Sequence, residues 1–372
     1  MADARTDTIN LFAGIATLIF LIMTSELNKK DIKDLTEELL VLWLEDRKIR
    51  SFRAKQILKW IYLRQEDSFD SMTDLKKDIR KLLSHHFTIK RLEKMEIKTS
   101  NDGSRKYLFK LKDGKYIESI LIPEKDHYTL CVSTQVGCAQ GCSFCLTARG
   151  GFVRNLTKGE IVSQVRDIQN DLRGSKRLTN IVFMGMGEPL ANYQNLIDAV
   201  NIIIDNDYGL NFANRKVTMS TAGLVPKIID FSRDTKVNIA ISLNATDNKT
   251  RSMLMPINRK YPIEKLLDTC RRYNLQPGRR ITFEYILIKD INDSEKDAYR
   301  LAKLLGSIKS KINLIPFNEY DDCAFLRPEE SVIQHFQEVL LKKNYTVIIR
   351  HSKGQDISAA CGQLSANLMP DT

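Results

Sequence analysis

The chain has 372 residues, of which 43% are hydrophobic and 28% charged, and these proportions exclude a disordered protein. Its formal net charge of +11 favours a polyanionic partner such as nucleic acid, although a merely basic surface would give the same count. Seven cysteines, four of them within fifteen residues, exclude an ordinary secreted disulfide framework and favour a metal or redox site in a reducing compartment.

Residues 1–29 form an apolar N-terminal extension that the rest of the fold does not require. Its core, residues 9–23, reads INLFAGIATLIFLIM and is fifteen residues long, whereas a membrane-spanning helix needs about twenty. A membrane anchor, a signal peptide and a translated extension with Met23 as the working start are the alternatives. We favour the last, because thiol chemistry needs a reducing cytoplasm, and we expect a cytoplasmic protein without a membrane partner.

Residues 30–93 are predicted to form a small helical accessory domain with a basic face. Between residues 52 and 62, apolar side chains recur at helical spacing beside Arg53, Lys55 and Lys59. Clustered cations of this kind are suited to phosphate groups.

Residues 94–125 are predicted to form an antiparallel β-ribbon that links this domain to the rest of the chain. Alternating side chains are interrupted by Asn101-Asp102-Gly103 and by Lys112-Asp113-Gly114, which are hairpin signals. Arg105 and Lys106 on the ribbon are further candidates for phosphate contacts.

From residue 126 to residue 350 the chain alternates strands and helices, and residues 351–372 form a C-terminal segment. Short apolar strands are expected at residues 130–134, 180–184, 216–220, 238–243, 281–287, 313–317 and 345–350. Helices are expected at residues 195–204, 263–273, 294–305 and 328–343, with another that begins at the capping box of Thr157 and Glu160. Six βα units predict an α/β fold with a partial TIM-type barrel, and a doubly wound sheet is the main alternative.

The first predicted strand leads into three cysteines, Cys138, Cys142 and Cys145. Three thiolates on one loop can hold three irons of a cubane and leave the fourth iron open for a substrate. Zinc is the alternative, but a closed zinc site needs four ligands, and Cys131 is the only nearby candidate for the fourth. A second glycine-rich turn, Gly185 to Pro189, follows the next strand, where Glu188 offers a carboxylate to an ammonium or hydroxyl group.

These segments together resemble a known family. Cys138-Ala-Gln-Gly-Cys142-Ser-Phe-Cys145 is similar to the radical S-adenosylmethionine signature. Further similar motifs are Arg154-Asn-Leu-Thr157, Phe183-Met-Gly-Met-Gly-Glu-Pro-Leu190, Leu254-Met-Pro-Ile-Asn258 and Ala360-Cys-Gly-Gln-Leu364. From about residue 30 to residue 364 the chain resembles the RlmN/Cfr family of radical S-adenosylmethionine RNA methyltransferases. Pro189 and residues 52–56 favour the RlmN branch.

The resemblance implies a radical-SAM barrel, one [4Fe–4S] cluster on the three cysteines, and two equivalents of S-adenosylmethionine per turnover. It implies that Cys361 carries the methyl group as S-methylcysteine, that Cys131 resolves the intermediate through a transient disulfide with Cys361, and that Glu118 accepts a proton. The implied contacts to S-adenosylmethionine are Gly187, Glu188, Ser220, Ser242, Leu243, Asn244 and Asn318. The family usually has histidine at the position of Asn244, so a proton-transfer role there is in doubt.

The resemblance further implies methylation of carbon 2 of adenine, in the peptidyl-transferase loop of 23S rRNA and 3′ of the tRNA anticodon. A low-potential electron donor such as flavodoxin or ferredoxin and a monomeric enzyme are expected. Two alternatives stay open, a Cfr-type enzyme that methylates carbon 8, and a non-catalytic metal-containing RNA-binding protein. Cys361, Cys131 and Glu118 favour catalysis, because a binding module needs neither a carrier thiol nor a base.

Overall fold

A computed structural model of the chain describes residues 29–172, 176–320 and 323–365. These residues divide into two compact units, one of residues 29–61 and 66–90 and the other of residues 62–65 with the described chain from residue 91 onward. The expected N-terminal extension, apart from Lys29, and residues 366–372 of the expected C-terminal segment lie outside the described residues.

The first unit is mainly helical, as predicted. Its helices are α1 Glu37–Glu45, α2 Arg53–Leu58, which continues into a π-helical turn at Lys59–Leu63, and α3 Lys77–His86. Two short strands, β1 Lys30–Asp31 and β2 Phe87–Thr88, pair in parallel. Leu40, Leu44, Ile57 and Leu83 are fully buried, so each helix contributes an apolar stripe to one small core.

The second unit is built on one ten-stranded sheet. Its strands are β3 Glu93–Thr99, β4 Arg105–Lys110, β5 Tyr116–Pro123, β6 His127–Cys131, β9 Arg177–Phe183, β10 Val217–Thr221, β11 Asn238–Ser242, β12 Ile281–Leu287, β13 Ser310–Pro316 and β14 Val347–Ile349. A separate antiparallel pair consists of β7 Gln135–Gly137 and β8 Phe152–Asn155. The order in the sheet is β14-β13-β12-β11-β10-β9-β6-β5-β4-β3.

Helices follow most of the parallel strands. They are α4 Leu146–Arg149, α5 Lys158–Asp171, α6 Tyr193–Ile204, α7 Val225–Asp234, α8 Asn248–Leu254, α9 Ile263–Arg271, α10 Glu295–Leu305 and α11 Glu330–Lys342. The predicted capping box is present at the start of α5, where Thr157 and Glu160 cap each other's backbone N–H groups. Helices α4, α7 and α8 were not predicted; α4 is a single turn of four residues and α8 has seven, whereas α7, with ten, is no shorter than the predicted α9.

The strand order confirms the prediction of a partial barrel. From β6 through β14 the parallel strands lie side by side in chain order, whereas a doubly wound sheet reverses direction at a switch point. Within the described chain β14 and β3 are the two edges, so the sheet stays open. No described helix has both the length and the apolar character needed to cross a membrane.

The predicted ribbon is part of this same sheet. Strands β3, β4 and β5 are antiparallel, and β5 pairs with β6 so that Ile120 lies opposite Cys131. Glu118 lies two residues from Ile120 and therefore on the same face of β5. The predicted strand at 130–134 was wrong at its end, because β6 stops at Cys131. Beyond it, the N–H of Ser133 donates to the side-chain oxygen of Gln164, and the N–H of Thr134 donates to the carbonyl of Met186.

Candidate active site

The cysteine loop lies between β7 and β8, which brace its base. The N–H of Cys138 donates to the carbonyl of Gly151 at 2.8 Å. Gly137 has a φ of +72°, and a Cβ there would lie 1.9 Å from the carbonyl oxygen of Gly151, so the approach of the two strands requires glycine. The loop is therefore closed tightly at the point where the first thiol emerges.

Two other segments hold the far side of the loop. The carbonyl of Leu254, at the end of α8, accepts the N–H of Ser143 at 3.0 Å. The carbonyl of Gly362 accepts the N–H of Leu146 at 2.7 Å, and Leu364 accepts the hydroxyl of Thr147 at 2.7 Å. The C-terminal segment is thus built onto the cysteine loop.

Burial governs the electrostatics of the loop thiols. It raises the pKa of Cys138 to about 12, and it raises the pKa of Cys142 well above its usual range, with further contributions from the neighbouring thiols. Both side chains are protonated at neutral pH unless a metal displaces the protons.

The donor set fits an iron–sulfur cluster. Cys138, Cys142 and Cys145 line the same cavity. Three thiolates can hold three irons of a cubane and leave the fourth iron open, whereas a closed structural zinc site needs four ligands.

A cavity of about 150 Å³ lies at the carboxyl ends of the parallel strands. Nine of the residues singled out in the sequence line it, namely Cys138, Cys142, Cys145, Gly187, Glu188, Ser220, Ser242, Asn244 and Cys361. The sequence spreads these residues over more than two hundred positions, and the barrel gathers them at one rim.

Glu188 presents a buried carboxylate that is already oriented. It accepts the N–H of Leu190 at 3.0 Å, the hydroxyl of Thr221 at 2.7 Å and the N–H of Ala222 at 2.7 Å. Burial raises the pKa of Glu188, and these donors oppose the increase. A cation in the cavity would offset the cost of burying this carboxylate.

Sequence reasoning missed Glu284, on β12, which also lines the cavity. Its Oε2 accepts the hydroxyl of Ser220 at 2.7 Å and that of Ser242 at 3.5 Å. It joins β10, β11 and β12 at the rim. A signal was present, because Glu284 is the single charged residue in an otherwise apolar buried strand.

Three expected cofactor contacts have neighbours within the protein. Leu243 is fully buried outside the cavity lining. Asn244 has a φ of +57°, and its Oδ1 accepts the N–H of Ile286 at 2.9 Å. The side chain of Asn318 lies outside the lining and donates to the carbonyl of Cys361 at 3.2 Å, so Asn318 positions the backbone of that cysteine.

The two thiols from opposite ends of the second unit lie close together. Cys361 opens into the cavity, and Cys131 is buried at the end of β6. Burial raises the pKa of Cys131, and the nearby Cys361 raises it further. Burial also raises the pKa of Cys361, against a lowering effect of Arg350.

Glu118 is buried on β5 and is held at both oxygens. Oε1 lies 3.3 Å from the ammonium group of Lys106, and Oε2 accepts the N–H of Ser365 at 2.9 Å. Lys106 also donates to the carbonyl of Ser358 at 3.2 Å. Lys106 is thus engaged with Glu118 and Ser358, and its contact with phosphate stays a prediction.

The turn between β3 and β4 holds the start of the C-terminal segment. The hydroxyl of Ser100 and the N–H of Asn101 donate to Asp356 at 2.6 and 3.0 Å. In return, the N–H of Gly354 donates to Asp102 at 2.7 Å. The hydrogen bond from Ser100, the largest effect, keeps the pKa of Asp356 low. These bonds fix the segment that delivers Cys361 to the cavity.

Comparison with known proteins agrees with this arrangement. The profile of the ribosomal RNA large subunit methyltransferase N-terminal domain matches residues 30–89, and that of the Radical SAM superfamily matches residues 132–302. The chain is 56% identical over 347 residues, 93% of this chain and 94% of the relative, to the dual-specificity RNA methyltransferase RlmN of Desulfosudis oleivorans. It is 51% identical to the protein of the same name in Geobacter sulfurreducens, over 91% of this chain and 92% of that one.

A solved structure agrees over the same extent. The radical SAM methyltransferase from Sphaerobacter thermophilus superposes with a TM-score of 0.85 at 42% identity, covering 91% of this chain and 99% of that chain. The chain therefore belongs to the RlmN family of radical S-adenosylmethionine RNA methyltransferases.

Proposed function

We propose that the enzyme methylates carbon 2 of adenine, both in the peptidyl-transferase loop of 23S rRNA and 3′ of the anticodon in tRNA. The observation that carries the proposal is the cavity in which the Cys361 thiol meets the three-cysteine loop and the buried carboxylate of Glu188. A binding module has no use for a thiol delivered to such a site. The names of the relatives, dual-specificity RNA methyltransferases, support RNA as the substrate.

Membership in the family gives the enzyme a [4Fe–4S] cluster and S-adenosylmethionine as cofactors. Cys138, Cys142 and Cys145 hold the cluster, which, when bound, supplies the electron that starts radical chemistry on S-adenosylmethionine. Glu188 receives the ammonium group of the methionine moiety. Gly187, Ser220, Ser242, Leu243, Asn244 and Asn318 form or support the rest of the cofactor site.

The remaining steps belong to the chain's own side chains. Cys361 accepts a methyl group on sulfur and presents that carbon to the adenine. Glu118 removes the proton from carbon 2, and one electron must leave the adduct, to the cluster if it is bound, for the ring to become aromatic again. The Cys131 thiolate then attacks the Cys361 sulfur; the S–C bond breaks with its electron pair on the RNA-linked carbon, which takes up a proton to become the methyl group, and a disulfide is left. Each new turnover therefore needs a reductant for that disulfide.

Partners and setting follow from the same chemistry. The cluster, when bound, would need an electron from a low-potential donor of the flavodoxin or ferredoxin class. The free thiols and the cluster belong in a reducing cytoplasm. We take the enzyme to act as a monomer, with residues 30–93 as the RNA-binding accessory domain, residues 94–125 as a ribbon and residues 126–350 as the barrel.

Nucleoside mass spectrometry tests the reaction directly. RNA from cells that express the chain should contain 2-methyladenosine in both 23S rRNA and tRNA, and RNA from cells without it should lack the modification. 8-Methyladenosine instead would identify a Cfr-type enzyme. RNA without either product would support the non-catalytic alternative.

Loss of the cluster is expected for Cys138→Ala, Cys142→Ala or Cys145→Ala, because three thiolates are the minimum that holds the cubane with one iron open. Iron, sulfide and the visible spectrum are measured after anaerobic reconstitution. Cys270→Ala is the matched control, because Cys270 is also buried but lies in α9, outside the cavity lining. Stoichiometric zinc without iron in the unaltered protein would contradict the assignment.

Binding of RNA is expected to weaken steeply as salt rises, because each neutralised phosphate releases counterions. Removing three phosphate contacts in the Arg53→Gln/Lys55→Gln/Lys59→Gln variant should lower the slope of log K against log salt by roughly 2–3. Fluorescence anisotropy with a labelled RNA stem-loop gives the slopes. Lys249→Gln, which removes an exposed cation on α8, should leave the slope unchanged. A flat response of the unaltered protein would exclude this interface.

A further inference from the structure

The helix α8 carries a fully buried arginine, Arg251. Its guanidinium donates to the carbonyl of Ala222 at 2.8 Å, to that of Leu243 at 3.0 Å and to Oδ1 of Asn258 at 3.0 Å. Longer bonds reach the carbonyls of Ser242 and Tyr261 at 3.3 and 3.5 Å. Every one of these acceptors is neutral. Within the described part of the chain no carboxylate forms an ion pair with Arg251.

An arginine in this situation keeps its charge at a considerable cost. Burial lowers the pKa of Arg251 to about 10, which still leaves the guanidinium protonated at neutral pH. Buried charges are ordinarily paired with an opposite charge, because hydrogen bonds to neutral groups do not cancel the loss of hydration. The site therefore calls for a negative charge that the protein's own carboxylates do not provide.

The surroundings of Arg251 point to the cysteine loop as the place of this negative charge. One turn further along α8, the carbonyl of Leu254 holds Ser143 in the cysteine loop. The positive charge of Arg251 is close enough to two thiols, Cys142 of the loop and the buried Cys270, to lower the pKa of each. Of the two, only Cys142 lines the cavity. Arg251 donates to the carbonyl of Ala222, which directly follows β10, and to that of Ser242, the last residue of β11. Both residues lie at the rim of the cavity. Arg251 itself is not part of the cavity lining.

We propose that Arg251 is the buried counter-charge of the iron–sulfur cluster and favours its reduced state. The inference rests on the proposed assignment of the cluster to Cys138, Cys142 and Cys145. A cluster held by three thiolates is negatively charged, and accepting one electron makes it more negative. A fixed positive charge in a poorly solvated site stabilises the reduced form more than the oxidised form, and so raises the reduction potential. Arg251 is thus a positioning and tuning residue rather than one that touches the reacting atoms.

The test is an anaerobic redox titration of the full-length, reconstituted protein without S-adenosylmethionine, followed by EPR of the reduced cluster. Arg251→Gln should shift the reduction equilibrium at least tenfold towards the oxidised form, about 59 mV for a one-electron couple. Arg251→Lys keeps the charge and should restore most of the potential. Lys249→Gln removes an exposed charge from the same helix and should change nothing, because water screens it.

A second variant adds a negative charge beside the guanidinium, although it also removes the hydrogen bonds that Nδ2 of Asn258 donates to Asn248 and Ser252. Asn258→Asp places a carboxylate where Oδ1 now accepts from Arg251 at 3.0 Å, so it neutralises the guanidinium without removing it. It should lower the potential in the same direction as Arg251→Gln, and it decides the question if Arg251→Gln does not fold. The thermal unfolding temperature of each cluster-free variant shows whether the substitution prevents folding.

Distinct results would overturn the inference. Unchanged potentials in both Arg251→Gln and Asn258→Asp would exclude an electrostatic role. An equal fall in Arg251→Lys and Arg251→Gln would show that the hydrogen bonds of the guanidinium matter and its charge does not. If the unaltered protein itself binds no iron–sulfur cluster, the proposed function fails first and the inference fails with it.

Discussion

Replacing Cys361 by alanine is expected to abolish RNA methylation while the iron–sulfur cluster stays in place. Cys361 opens into the cavity beside the cysteine loop, and without its sulfur nothing receives the first methyl group. The loop itself is held by backbone bonds, including that from Leu146 N–H to Gly362, which alanine at position 361 preserves. Transfer of a radiolabelled methyl group to RNA should fall to the background level, and iron content should equal that of the unaltered protein.

Cys323→Ala is the matched control for this loss, because Cys323 is a free cysteine that does not line the cavity. It should methylate RNA at the normal rate. Carbon 2 methylation by Cys361→Ala would show that the methyl group reaches adenine without a carrier thiol, and the proposed mechanism would be wrong for this protein.

Replacing Cys131 by alanine is expected to have a different result, a stable covalent complex between protein and RNA. Addition of the methyl carbon to adenine needs Cys361, whereas release needs an attack on the Cys361 sulfur. The buried thiol of Cys131 lies close enough to Cys361 for Cys361 to raise the pKa of Cys131, so the two sulfurs are neighbours. A denaturing gel should show a shifted band that disappears on nuclease treatment.

Two further variants show whether the complex has the proposed origin. Cys131→Ala/Cys361→Ala should give no shifted band, because the carrier is gone. Cys270→Ala should also give none, although burial likewise raises the pKa of Cys270 to about 12. A shifted band in the double variant would mean that RNA attaches elsewhere.

The raised pKa of Cys131 adds a pH dependence to the release step. Because burial raises this pKa, the thiol is protonated at neutral pH. As long as the pH stays below the pKa, each increase of one pH unit makes the reactive thiolate about tenfold more abundant. In the unaltered protein, trapped RNA should therefore accumulate as pH falls and disappear as pH rises.

Glu118→Gln should trap RNA as well, if proton removal precedes release.

The sequence by itself determined the chemistry and most of the regular structure. The three cysteines of the loop lie within eight residues of one another, and the turn with Gly187 and Glu188 directly follows a buried strand. Both motifs can therefore be recognised from neighbouring residues alone. The strand at 281–287 was predicted at its observed bounds, because apolar, aromatic and β-branched residues surround its single charged residue, Glu284, as in a buried strand. The family resemblance supplied the proposed roles of Cys131, Glu118 and Cys361.

Only the tertiary structure decided which distant residues meet. Ser100 and Asp356, which fix the segment that carries Cys361, are 256 positions apart. The ribbon joins the main sheet through the pairing of β5 with β6, which no periodic pattern encodes. Glu284 accepts hydroxyl groups from neighbouring strands, and Arg251 donates to carbonyl groups that lie outside its own helix. Hydrophobic periodicity specifies which face of an element is buried, but the partners of a buried charge depend on how the elements pack.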